Sequence, residues 1–244
     1  MTFSDIWWRF LIVFVACYLA GNFNSAITIS KIKSKDIRKM GSGNPGTMNM
    51  SRNFGLKIGI LVFVLDVLKG VIPTLTVKLL FLNLHAKSMV GEPITICAES
   101  LAGLSVVLGH VFPMFYGFKG GKGIASTIGA LLVINWQFSL ISLVLALIFI
   151  FATKMGAVGS FIATTPTVIA TLIKLYYDYF VISNISGYFI FASMLLFLFI
   201  FVTWLAHRRN IKQLLSCEEH DTNWLQMIKN IKFKSKLKKR DIAK

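Results

Sequence analysis

Apolar residues in this chain fall into long blocks separated by short polar islands. Six stretches, 6–29, 56–82, 94–116, 136–153, 155–177 and 186–206, are almost wholly apolar. A helix needs roughly 20 such residues to cross a hydrocarbon core roughly 30 Å thick. A seventh block, GIASTIGALLVI over 123–134, is apolar but too short to cross comfortably. It predicts a short helix or a re-entrant element, lining a site or buried in protein. The pattern therefore predicts an all-α polytopic membrane protein with about seven transmembrane helices, one of them short.

Composition agrees with the pattern. Hydrophobic residues make up 55% and charged residues 15% of the 244, where a soluble domain carries about a quarter charged. Mean hydropathy is +0.70. The net charge of +16 is concentrated in two places. Seven Lys/Arg lie between Lys31 and Lys57 against the single acid Asp36, and eleven lie from His207 onward. Both clusters flank apolar runs, as cytoplasmic segments do under the positive-inside rule. With seven crossings, the N-terminus is outside and the C-terminus cytoplasmic. Loop 31–55, Lys119, Lys122, Lys154 and the tail then share the inner face. Six crossings would put loop 31–55 and the tail on opposite faces. No basic-aromatic module for nucleic acid is present. The expected organisation is one transmembrane unit over 1–219 and a basic cytoplasmic tail over 220–244. That tail reads equally as lying on an anionic lipid surface, where each Lys or Arg is worth roughly 1 kcal/mol, or as a solvated disordered segment. Cys17, Cys97 and Cys217 are far apart, without metal-ligand or disulfide spacing. No metal or cofactor is expected. The first apolar run outlasts a signal-peptide core and reads as a retained helix.

The chemistry must come from four polar islands, all on the inner face in this topology. They are GSGNPGTMNMSR over 41–52, the run from Gly109-His110 to Lys122-Gly123, Thr153-Lys154 with Gly159-Ser160, and His207-Arg208-Arg209-Asn210. The G-x-G-x-x-G match at Gly41, Gly43 and Gly46 follows a membrane helix rather than a strand, so it is not a dinucleotide fingerprint. A phosphate-binding P-loop fails at Tyr116 and Gly123, where Gly and Ser or Thr are required. Glycine loops nonetheless aim consecutive N–H groups at anions, and a nearby Lys or Arg adds full charge. Two such loops with Arg52 and Lys122 point to an anion site. Turn chemistry is the competing reading of each loop alone. His110 reads equally as a structural or a catalytic histidine. His207 stands at a helix C-terminus, where the dipole favours a capping cation. Asp66 and Lys69 lie three apart in an apolar span, as a structural ion pair or a site lining. No G-x-S-x-G elbow or His-x-x-x-x-Asp motif occurs. A transporter of a phosphorylated solute is the alternative reading.

In this order, the GSGNPG-x-x-N-x-x-R, GHVFP…GFKGGKG and HRxNI blocks resemble the bacterial acyl-phosphate:glycerol-3-phosphate acyltransferase family, over roughly Tyr18 to Glu219. The resemblance implies a seven-span cell-membrane enzyme of phospholipid synthesis with a cytoplasmic site. It would move a fatty acyl group from acyl phosphate to the 1-hydroxyl of glycerol 3-phosphate, giving lysophosphatidic acid and phosphate. Ser42, Arg52, Lys122, His207 and Asn210 form the expected catalytic set. Gly43, Asn44, Gly46, Asn49, His110, Gly120, Gly121, Gly123, Ser160, Arg208 and Glu219 form the expected substrate-binding set. Three positions depart from the family pattern. Asn24 lies in the stretch where the family has Gly-Ser-Ile-Pro, Ala157 replaces a serine, and Cys217 replaces a glycine. An acyl phosphate is already activated, so no covalent enzyme nucleophile is needed. Charge neutralisation and orientation suffice, with His207 or a substrate phosphate oxygen as base.

Overall fold

A computed structural model describes residues 3–85, 93–182 and 186–216. Every regular element among them is helical. The chain order is α1 Phe3–Asn22, α2 Ser25–Ile32, α3 Thr47–Phe54, α4 Leu56–His85, α5 Pro93–Val111, α6 Ile124–Ile134, α7 Trp136–Thr153, α8 Gly156–Leu175, α9 Ser186–Ala206 and α10 Arg208–Leu215. Six helical stretches are long and apolar enough to cross a membrane, and α6 is the shorter apolar helix. Glu219, Cys217 and the basic tail lie outside the described residues.

The first span is not the uninterrupted helix that its hydropathy predicts. It breaks at Phe23-Asn24, where the Asn24 side chain accepts the Ile27 N–H at 3.0 Å and caps α2. The departure at Asn24 thus supplies a helix cap. The third predicted span also ends early. α5 stops at Val111, and Pro113, which has no N–H to donate, leads into a separate turn over Met114–Tyr116.

α5 is the central helix. It is 83% buried, against 50% or less for the other spans, and packs on α1, α4, α6 and α9. Between helices in lipid, close packing replaces the hydrophobic drive of water-soluble cores. Two glycine pairs provide it. A Cβ on Gly109 of α5 would lie 2.2 Å from the Tyr18 carbonyl oxygen of α1, and one on Gly21 would lie 2.3 Å from that of Val106. Where α4 crosses α6, a Cβ on Gly70 would meet the Ser126 oxygen at 2.2 Å, and one on Gly129 the Val67 oxygen at 2.1 Å.

Two ion pairs stand at different levels of α4, one within the helix and one joining it to α5. The sequence reading singled out Asp66 and Lys69 of α4, which stand 3.4 Å apart. It missed Lys78 of α4 and Glu99 of α5, 3.0 Å apart. Lys78 also donates to the Val133 carbonyl at 2.8 Å, and the buried Asn135 amide donates to Thr171 Oγ1 at 3.0 Å. The end of α6 is thereby satisfied inside the protein. A helix of about 16 Å can stop within an apolar bundle only on that condition.

Gly129→Ala should force α6 away from α4 and cost about 1–3 kcal/mol, as overpacking does. A lowered thermal unfolding midpoint in detergent micelles would register it. Gly117→Asn is the control, since a Cβ at Gly117 meets nothing within 4 Å and asparagine tolerates its positive φ; its midpoint should stay unchanged.

Candidate functional site

The first glycine loop is shaped by Asn49, which is 1% exposed. Its amide donates to the carbonyls of Ile37 at 3.3 Å and Met40 at 2.9 Å. Its oxygen accepts the Ser42 N–H at 3.2 Å and the Asn53 amide at 3.0 Å. Two donors and two lone pairs are the full capacity of an asparagine amide. Asn49 therefore organises the loop, where the sequence suggested a substrate contact. The loop N–H groups are engaged as well. Gly43 donates to Met40 O at 2.9 Å, Gly46 to Asn44 O at 3.0 Å, and Asn44 to Ser42 Oγ at 3.4 Å. Gly41 and Gly43 take positive φ to make this turn. The loop delivers the start of α3, where Gly46 is the N-cap and no side chain caps the helix. First-turn N–H groups have no partner within their own helix, so anion-directed donors belong to the helix opening rather than to the loop. Ser42 and Arg52 are exposed, and Asn44 is half-buried.

The second glycine loop folds back onto the end of α5. Tyr18 donates its hydroxyl to the Phe112 carbonyl at 2.7 Å, and the Phe115 N–H reaches Asn22 Oδ1 at 3.5 Å. Gly120 N–H donates to Val111 O and Gly121 N–H to His110 O, both at 3.2 Å. These two groups cap α5; the sequence had assigned them to phosphate. A Cβ on Gly120 would sit 2.0 Å from the His110 carbonyl oxygen, and one on Gly121 2.3 Å from His110 Nε2 and 3.1 Å from Pro45 O. Only glycines fit between the two loops and the imidazole. Gly123 then opens α6, again with no side-chain cap.

His110 is buried at 3% exposure. Its Nδ1 lies 2.8 Å from Lys69 Nζ and 3.9 Å from Asp66 Oδ1. Lys69 Nζ also donates to the Phe23 carbonyl at 2.7 Å, and Ser25 Oγ donates to Asp66 Oδ1 at 2.9 Å. Ser25 and the Phe23 carbonyl escaped the sequence reading, because the helix break that presents them follows from no residue pattern in that apolar run.

Lys122 is half-buried, and its ammonium donates to Asn210 Oδ1 at 2.5 Å. Three residues before Asn210, His207 is 2% exposed, with Nδ1 2.9 Å from the Thr203 carbonyl. A carbonyl only accepts, so Nδ1 carries the proton and Nε2 of the neutral ring keeps a lone pair. Burial first, then the charge of Lys122, pushes the imidazole down to about 4. His207 does cap α9, but as a neutral donor and not as the cation expected from the helix dipole. Phe161 packs edge-on against it at 5.3 Å, which brings α8 and neighbouring Ser160 to the same place. Ser160 Oγ donates to Gly156 O at 2.9 Å. Arg208 is exposed and donates to Leu205 O at 3.2 Å.

Islands far apart in the sequence thus converge. Pro45 abuts Gly121, Lys122 holds Asn210, and Phe161 touches His207. Ser42, Arg52 and Arg208 stay exposed on the flanking elements. The assembly offers a lysine ammonium, an imidazole lone pair and two uncapped helix starts, a set suited to anionic groups. Among the described residues, no group of three or more His, Cys, Asp or Glu could hold a metal ion.

Comparisons with known proteins point the same way. A family model described as glycerol-3-phosphate acyltransferase matches residues 11–217. A glycerol-3-phosphate acyltransferase of Mycoplasma mobile is 34% identical, covering 90% of this chain and 94% of the relative. One from Mycoplasmopsis pulmonis is 32% identical, covering 86% and 92%. The crystal structure of PlsY, an integral membrane glycerol 3-phosphate acyltransferase, in its glycerol 3-phosphate form superposes with a TM-score of 0.72 at 30% identity, over 90% of this chain and 98% of that one. Its lysophosphatidic acid form gives 0.67 at 31% identity.

The lowered pKa of His207 has a stability consequence. The unfolded imidazole takes up a proton near 6.5 and the folded one only near 4. Between these values the unfolded state binds more protons, so stability is fully present above 6.5 and falls with acidification toward 4. The largest loss is about 3 kcal/mol. Unfolding midpoints in micelles at pH 7 and pH 4.5 should differ less in His207→Gln than in the native chain.

Proposed function

The chain belongs to the glycerol-3-phosphate acyltransferase family, and on that premise we propose its donor, its site and its facing. Glycerol 3-phosphate is the acceptor and acyl phosphate the donor. The products are lysophosphatidic acid, acylated at the 1-hydroxyl, and inorganic phosphate. Family membership sets aside the transporter alternative. The observation that carries the site is the Lys122–Asn210 contact beside neutral His207, next to the α6 start and the Pro45 turn.

Both substrates are anionic and repel each other. Lys122, held by Asn210, offsets that repulsion at the point where the loops meet. Arg52 and Arg208 add positive charge from the flanking α3 and α10. The uncapped starts of α3 and α6 offer N–H groups for phosphate oxygens. Ser42 and Asn44, on the loop that leads into α3, and Ser160, on α8, orient hydroxyls.

The reaction is direct. The glycerol 1-oxygen attacks the acyl carbonyl carbon, a C–O ester bond forms, the bond to the phosphate oxygen breaks, and phosphate departs with its electron pair. The hydroxyl proton needs an acceptor. An imidazole held near 4 is a weaker base than a phosphate monoester, whose second pKa is about 6. The stronger base is thus a substrate phosphate oxygen. His207 Nε2 accepts a hydrogen bond and orients the hydroxyl.

The site faces the cytoplasm. Lys31, Lys33, Lys35, Lys39, Lys57 and Lys119 are exposed at the site end, as the positive-inside rule requires of an inner face. Trp7, Trp8 and Trp136 are exposed at the helix ends opposite, in the manner of an interfacial aromatic belt.

Protein purified in detergent should release phosphate only when acyl phosphate and glycerol 3-phosphate are both present. Release with acyl phosphate alone, or none with the pair, overturns the assignment. Lys122→Ala should lower kcat/KM by about a hundredfold or more, the scale of losing a fixed charge at a developing anion. His207→Gln should keep a substantial fraction of kcat, which rules out His207 as the base.

A further inference from the structure

The geometry assigns a positioning role to Asp66 and Lys69, acting through His110 on the loop that carries Lys122. The inference rests on the site proposed above. Lys69 Nζ is within hydrogen-bonding or ion-pair reach of three acceptors: Phe23 O at 2.7 Å, His110 Nδ1 at 2.8 Å and Asp66 Oδ1 at 3.4 Å. An ammonium has three N–H groups and no lone pair. With Lys69 as the donor, His110 Nδ1 is an acceptor. The imidazole is therefore the tautomer with hydrogen on Nε2, and its plane is fixed from behind.

The far edge of that ring meets the loop. Nε2 stands where a Cβ on Gly121 would be 2.3 Å away, and the His110 carbonyl accepts the Gly121 N–H at 3.2 Å. The same residue thus holds Gly121 by side chain and by backbone. Lys122 is the next residue, and its ammonium reaches Asn210. A continuous line of contacts runs from Ser25 through Asp66, Lys69, His110 and Gly121 to Lys122. Asp66 balances the Lys69 charge, so the buried line carries no net charge at its base. None of Ser25, Asp66 or Lys69 needs to touch substrate for a shift at Lys69 to move the Lys122 ammonium.

Replacing Lys69 alone would strand the Asp66 carboxylate in the bundle and endanger folding. Two other variants avoid that. Asp66→Asn with Lys69→Met removes both charges together. His110→Asn keeps an oxygen near the Nδ1 position for Lys69 but removes the ring edge at Gly121. In full-length protein purified in detergent, each should unfold cooperatively and lose kcat by about tenfold to a hundredfold, the scale of a displaced catalytic group. Combined with Lys122→Ala, each should add almost no further loss, because the line acts through Lys122. A purely structural role would lower the unfolding midpoint and leave kcat per folded molecule intact. Native kcat in folded His110→Asn, or losses that multiply with Lys122→Ala, would overturn the inference. Failure of the native chain to turn over acyl phosphate and glycerol 3-phosphate would instead overturn the site proposal.

Discussion

A lysine ammonium buried among three acceptors is the constraint on which the rest of the arrangement depends. Lys69 sits in a span where an uncompensated charge costs several kcal/mol. It is tolerated because Asp66, the Phe23 carbonyl and His110 Nδ1 surround it. Each partner comes from a different part of the fold. Asp66 is on its own helix, Phe23 at the break between α1 and α2, and His110 at the end of α5. Satisfying one charge therefore fixes the relative positions of three spans at the depth where the glycine loops enter.

The same rule governs the short helix. α6 ends in the bundle, with its terminal carbonyl at Val133 met by Lys78 and its following Asn135 bonded to Thr171. Close backbone contact at Gly70 and Gly129 locks its side against α4. Both ends and one flank being specified, its start at Gly123 stays beside Lys122. Polar groups placed in an apolar setting thus serve position as much as charge.

The site itself divides its labour between loops and helix starts. The glycine loops use their own N–H groups internally, on Met40, Asn44, Val111 and His110. What they offer outward is the direction of α3 and α6 and the placement of Lys122. His207 is kept neutral by burial and by Lys122, which leaves an acceptor beside a cation. Such a pair suits an alcohol entering next to a phosphate.

Hydropathy alone determined the class, the number of spans and the short seventh element, because a bilayer demands apolar length whatever the packing. The motif blocks marked the islands that the fold then brings together, since Lys, Asn and His are costly to keep near lipid. Tertiary structure alone decided which members of those blocks face outward. Asn49, Gly120 and Gly121 read as ligand groups in sequence, and the fold uses them internally. Likewise Lys69 and Asp66 read as a structural ion pair or a site lining, until the break at Phe23 and the ring of His110 came to meet them. Residue type limits what a group can bond, and only the packed neighbours determine which of those bonds are already taken.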